Sequence, residues 1–183
     1  MKMKINHLGL IVCLLITISS QAQLKQTVLP NGWKLSPIGK QLPLEDLPLN
    51  IVISPNKKLA AITNNGQSTQ GIHLIDVPNQ KILDYSTTPK SWYGLAFSQD
   101  NKFLYASGGN DNWILKFKIN NNQLQLVDSI ILGAKWPVKI SPAGICIDNQ
   151  KQKMFVVTKE NNSLYEVDLI TKKSVAYPLG SEA

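Results

Sequence analysis

Beyond residue 48 the chain is written in short apolar runs with polar residues at alternate places, each run closed by a cluster of Asn, Asp, Ser, Gly or Pro. Period two puts successive side chains on opposite faces of an extended strand, and clustered turn formers reverse the chain. Nothing in this region repeats at the spacing of a helix face, so the pattern predicts an all-β fold.

The runs fall into three similar units. A first strand reads Leu49–Ser54, Tyr93–Ser98 and Ala143–Asp148, each followed by a polar turn. A second strand reads Leu59–Thr63, Phe103–Ser107 and Met154–Thr158, each opening into a polar loop. A third alternates strictly over Ile72–Val77, Ile114–Ile119 and Leu164–Leu169, and a fourth, weaker strand follows a short turn. The residue closing the first strand recurs at Ser54, Ser98 and Asp148, spaced 44 and 50 apart. Four antiparallel strands repeating at about 40 to 50 residues is the pattern of a propeller blade.

Two of the units carry a narrower signature. Ala60-Ala61-Ile62-Thr63-Asn64-Asn65-Gly66, followed by Ile72-His73-Leu74-Ile75-Asp76, resembles the YVTN-type β-propeller repeat, as does Phe155-Val156-Val157-Thr158-Lys159-Glu160 through Asp168. The middle unit departs from it with Tyr105-Ala106-Ser107-Gly108-Gly109-Asn110. The opening Leu29-Pro30-Asn31-Gly32-Trp33-Lys34-Leu35-Ser36-Pro37 and the run Ser107–Lys116 are similar to the N-terminal propeller of secreted bacterial proteins that join a YncE-like propeller to an alkaline-phosphatase-superfamily phosphoesterase. The resemblance implies a fragment of a seven-bladed propeller, with any phosphoesterase domain beyond residue 183. It also admits a lactonase-type propeller.

The expected organisation is a leader at 1–22, a lead-in segment at 23–47, and an incomplete propeller at 48–183 with blades near 48–90, 91–140 and 141–183. Lys2 and Lys4 precede the apolar run Leu8–Ile18, and Ser20-Gln21-Ala22 supplies a small-residue cleavage site. That predicts a signal peptide cleaved after Ala22, a secreted or periplasmic chain, and no stable membrane span after cleavage. Three blades are too few to close a ring. The missing blades are expected from the rest of a parent chain or from self-association.

Composition narrows the chemistry. Loss of Lys2 and Lys4 lowers the formal charge from +7 to +5, and every basic residue is lysine. Scattered lysines without arginine argue against a nucleic-acid surface. After cleavage one cysteine, Cys146, and one histidine, His73, remain. They cannot assemble a zinc site, and no cofactor is expected. Cys146, between Ile145 and Ile147, is expected to be a small buried hydrophobe. Asn161-Asn162-Ser163 fits a glycosylation sequon.

Blade topology gathers the loops between second and third strands, and those joining one blade to the next, on one face. Loops on a rigid scaffold are where ligands usually bind. The candidate ligand-binding residues are Asn64, Asn65, Trp92, Asn110, Asp111, Trp136, Lys159 and Glu160. Trp92 and Trp136, beside Lys90 and Lys135, suit a sugar or an anionic group, or else fill the gaps between blades. Asn110 with Asp111, and Glu160 with Asn161, are oxygen donors without the spacing of a calcium loop. The function expected is a non-catalytic binding or scaffolding segment that meets a small molecule or a protein at its loop face. The alternatives are the propeller half of a phosphoesterase and a lactonase-type propeller.

Overall fold

A computed structural model describes residues 27–36, 39–135 and 137–180, and the predicted leader lies outside them. The chain divides into two compact units, Met1–Lys40 and Gln41–Ala183. In the first, β1 (Thr27–Val28) pairs antiparallel with β2 (Lys34–Leu35). Asn31-Gly32 makes the turn between them, with Gly32 at φ 81°.

The second unit contains three four-stranded antiparallel meanders. Blade one is β3 (Pro48–Ile53), β4 (Leu59–Asn64), β5 (Gly71–Asp76) and β6 (Lys81–Thr87). Blade two is β7 (Leu95–Phe97), β8 (Phe103–Ser107), β9 (Trp113–Asn120) and β10 (Gln123–Ile131). Blade three is β11 (Pro142–Asp148), β12 (Lys153–Thr158), β13 (Ser163–Asp168) and β14 (Ser174–Pro178). The fold is all-β, a partial β-propeller of three blades. Among the described residues no helix is long and apolar enough to cross a membrane.

The recurring register residue closes the first hairpin of each blade. The Ser54 hydroxyl accepts from Leu59 N at 2.9 Å and lies 2.8 Å from Asn56 Oδ1. The Ser98 hydroxyl accepts from Phe103 N at 2.9 Å and lies 2.6 Å from Asp100 Oδ1. In blade three the Asp148 carboxylate accepts from the amides of Gln150 and Lys151 at 3.0 and 3.1 Å. A short polar side chain that satisfies its own turn amides is what these positions require.

Alternation puts two cores between three sheets. Ile72 and Leu74 of blade one pack with Leu104, Leu115 and Phe117 of blade two. The opposite face of blade two, with Tyr105 and Ile114, packs with Met154, Val156 and Val167 of blade three. At the second seam the inner strands approach so closely that a Cβ on Gly94 would lie 2.5 Å from the Ala143 carbonyl oxygen.

The remaining two faces are only partly covered. On blade one, Leu42 and Leu44 lie over Ala60, Ile62 and Ile75, while Ile51 and Ile53 stay 58% and 51% exposed. The segment from 41 to 47 therefore packs with blade one, although the sequence alone groups it with the lead-in. On blade three, Val175 and Tyr177 are 56% and 47% exposed.

Cys146 is exposed, which corrects the expectation of a buried thiol. It pairs with Phe155 on β12 and shares the open face of blade three, so the alternation of β11 points it away from the core. The fourth strands are also longer than their weak patterns suggest, spanning seven residues in β6 and nine in β10. Outer strands bury little, so burial imposes little pattern on them.

Candidate functional site

The loop face is assembled from hairpins whose ends are tied across blades. Asp46 holds the β4–β5 loop, accepting from Gln67 N at 2.6 Å and from Ser68 N at 3.2 Å. These bonds, first among them that from the Ser68 hydroxyl, hold the Asp46 carboxyl below its ordinary range. At the far end of that loop Gln70 Oε1 accepts from Ser91 N at 2.9 Å, joining it to the β6–β7 connection. In blade two, the Ser107 hydroxyl donates to the Pro142 carbonyl of blade three at 2.6 Å and accepts from Gly109 N at 3.0 Å.

Asn112 is the densest of these links. It is fully buried and left-handed, at φ 59°. Its Oδ1 accepts from Ile140 N at 3.1 Å and Ser141 N at 2.9 Å. Its Nδ2 donates to the carbonyls of Ala134 and Val138 at 2.7 and 2.6 Å. One amide thus fixes the connection between blades two and three. That connection in turn accepts from Lys159 N and Glu160 N through the carbonyls of Ser141 and Ile140, at 3.1 and 3.2 Å.

These ties bring loops of all three blades around one open cleft of about 360 Å³. Asn65 and Gln70 come from the β4–β5 loop, and Lys90, Ser91 and Trp92 from the β6–β7 connection. Gly109 and Asn110 come from a single 3₁₀ turn, and Lys159 and Glu160 from the β12–β13 turn. The Lys159 ammonium lies 5.4 Å from the centre of the Trp92 ring and 3.9 Å from Glu160 Oε1. Ser91 is 4% exposed, and its hydroxyl has no partner among the described residues.

Of the residues singled out by sequence, Asn65, Trp92, Asn110, Lys159 and Glu160 share this cleft. Asn64 does not line it: it is fully buried at the end of β4, its Nδ2 2.6 Å from His73 Nδ1. Asp111 follows Asn110 in the 3₁₀ turn without lining the cleft. Trp136 lies outside the described residues. Lys135 lies over the Trp113 ring, 4.9 Å from its centre.

Gln70, Ser91 and Gly109 were not singled out, and Lys90 was named only as the neighbour of Trp92. Each sits in a loop whose place on this face is legible. Which side chains turn inward depends on the ties to Asp46, Ser107 and Asn112, all contacts between loops.

Two other candidates are occupied by structure. His73 is buried on β5, its ring centre 4.4 Å from that of Tyr85. Burial holds its imidazole below the ordinary value, partly offset by the Glu45 carboxylate. In the sequon, Asn161 Nδ2 donates to Tyr165 Oη at 2.9 Å and its Oδ1 accepts from Thr158 Oγ1 at 2.5 Å. The amide a glycan would need is engaged inside the turn. Among the described residues no three His, Cys, Asp or Glu side chains gather closely enough to hold a metal ion.

No protein-family model matches the chain, and no curated protein matches it. Solved structures do resemble it. Hydrazine synthase of Kuenenia stuttgartiensis superposes at a TM-score of 0.59 with 19% identity, over 76% of this chain and 38% of that one. The WD40 repeats of RRP9 superpose at 0.61 with 12% identity, over 77% and 41%. A functionally unknown protein from Desulfotomaculum acetoxidans superposes at 0.59 with 16% identity, over 77% and 44%. At these identities the likeness is one of fold, to WD40-like propellers. The chain spans about two fifths of the length of these neighbours.

Proposed function

We propose that this chain is a binding and scaffolding segment of an exported propeller larger than itself, with its ligand site on the loop face. The observation that carries the reading is the cleft at that face, lined by loops from all three successive blades. Residues from Asn65 to Glu160 meet there, held by hydrogen bonds both within blades and between them. Binding at the loops of a rigid β scaffold is the common use of such an arrangement.

The scaffold part of the proposal rests on the two open faces. Ile51 and Ile53 on blade one, and Val175 and Tyr177 on blade three, are apolar side chains at sheet faces that other blades would cover. In a parent propeller those blades come from the rest of the chain. Without them the exposed faces associate. Light scattering of the 183-residue chain is expected to show self-association, relieved by Ile51→Lys together with Val175→Lys. An intact, monodisperse monomer overturns the incomplete-scaffold reading.

The second reading, the propeller half of a phosphoesterase, is favoured by the similarity of 29–37 and 107–116 to such propellers. It places hydrolysis outside this chain. Metal-dependent hydrolysis of a phosphate ester by the purified chain would overturn the non-catalytic assignment.

A further inference from the structure

The loop-face cleft is biased toward hydrogen-bond donors, and the bias is built by the fold. Gln70 must present its oxygen to Ser91 N, because a backbone amide can only donate. That leaves the Gln70 Nε2 group without a partner among the described residues. Asn110 Oδ1 is likewise engaged by the Ser141 hydroxyl at 3.2 Å, leaving its Nδ2 unpartnered among them. The protein consumes the acceptor end of Gln70 and keeps its donor end, while the Ser141 hydroxyl, able to donate or accept, lets Asn110 turn either end outward.

Charge adds to this. Lys90 has no ion-pair partner among the described residues, and Lys159 meets Glu160 only at 3.9 Å, a weak contact for exposed groups. The cleft is therefore cationic as well as rich in donors. The Ser91 hydroxyl, beside the cleft, is buried and unpaired among the described residues, as are those of Thr63 and Thr88, which do not line it.

We infer that this cleft binds a small polar molecule through an oxyanion, a carboxylate or a phosphate, held by Lys90, Lys159 and Gln70 Nε2. The inference rests on the loop face being the binding face and names the class of its ligand. Lysine point charges with single amide donors suit an oxyanion gripped at separate oxygens, without the planar fork that arginine would give.

The test is titration of the full chain with inorganic phosphate, glucuronate and glucose, followed by calorimetry and by indole fluorescence assigned with Trp92→Phe. Saturable binding of phosphate or glucuronate tighter than about 10 mM, weakened by salt and absent for glucose, is the expected result. Which of the two anions binds tells phosphate from carboxylate. Lys90→Gln, a surface change that leaves folding untouched, is expected to weaken binding about three- to fivefold.

Failure of both anions to saturate overturns the inference. So does unchanged anion binding in Lys90→Gln. Equal binding of glucose and glucuronate overturns it too, while keeping the loop face as a binding face. None of these outcomes touches the scaffold reading, which light scattering decides.

Discussion

Replacing Asn112 by alanine removes four hydrogen bonds from a side chain with no exposed surface. The losses are unequal. Ile140 and Ser141 are buried, so their amides lose an acceptor that water cannot replace, at roughly 1–3 kcal/mol each. Ala134 and Val138 are exposed, so their carbonyls are rehydrated and add little. Alanine at φ 59° adds about 1 kcal/mol that asparagine tolerates better.

The expected loss is about 3–7 kcal/mol, comparable with the whole stability of a small domain. Urea unfolding followed by tryptophan fluorescence measures it. Asn112→Gly, free of backbone strain at that φ, should be less damaging than alanine. Asn112→Asp keeps the acceptor for both amides but turns a carboxylate oxygen toward two carbonyls. Burial against those carbonyls raises its folded pKa, so its damage should shrink as pH falls from about 7 to about 4. A loss under about 1 kcal/mol for Asn112→Ala would refute the idea that this residue holds the connection between blades two and three.

His73, its pKa lowered by burial from 6.5, should make the fold acid-sensitive. The unfolded chain takes up the proton first as pH falls, so stability is full above about 6.5 and declines below it. Urea midpoints across that range should fall less steeply in His73→Gln, and parallel profiles would refute the assignment. Gly94→Ala drives a methyl against the Ala143 carbonyl and should cost about 1–3 kcal/mol by thermal or urea unfolding. Cys146 should react with iodoacetamide in the folded chain, as counted by mass spectrometry. In a longer chain carrying the next blade the same thiol should be protected, and equal reactivity in both would argue against a blade seated on that face.

The strands of all three blades were readable because burial enforces alternation. Ile72, Leu74, Leu104 and Leu115 each face a neighbouring sheet, and a one-residue slip would turn them to solvent. The candidate site was legible only by region. Asn65, Trp92, Asn110, Lys159 and Glu160 were found because turn chemistry marks the loops and blade topology puts those loops on one face. Asn64 was placed with them because it follows the strand expected at 59–63, yet it ends β4 and its side chain pairs with His73. Ser91 carried no signal at all, since an unpartnered hydroxyl is a property of its surroundings.

The sequence by itself determined the period, the order of strands in each blade and the polar side chains that close each first hairpin, because these depend on neighbours within one blade. Tertiary structure decided which loop side chains meet, which amide ends stay free, and which sheet faces remain open. Those depend on contacts between residues far apart in the chain, such as Gln70 with Ser91 and Asn112 with Ile140. Cys146 shows the division most simply. Alternation placed it on a face of β11, and only the packing of the sheets showed that this face is uncovered.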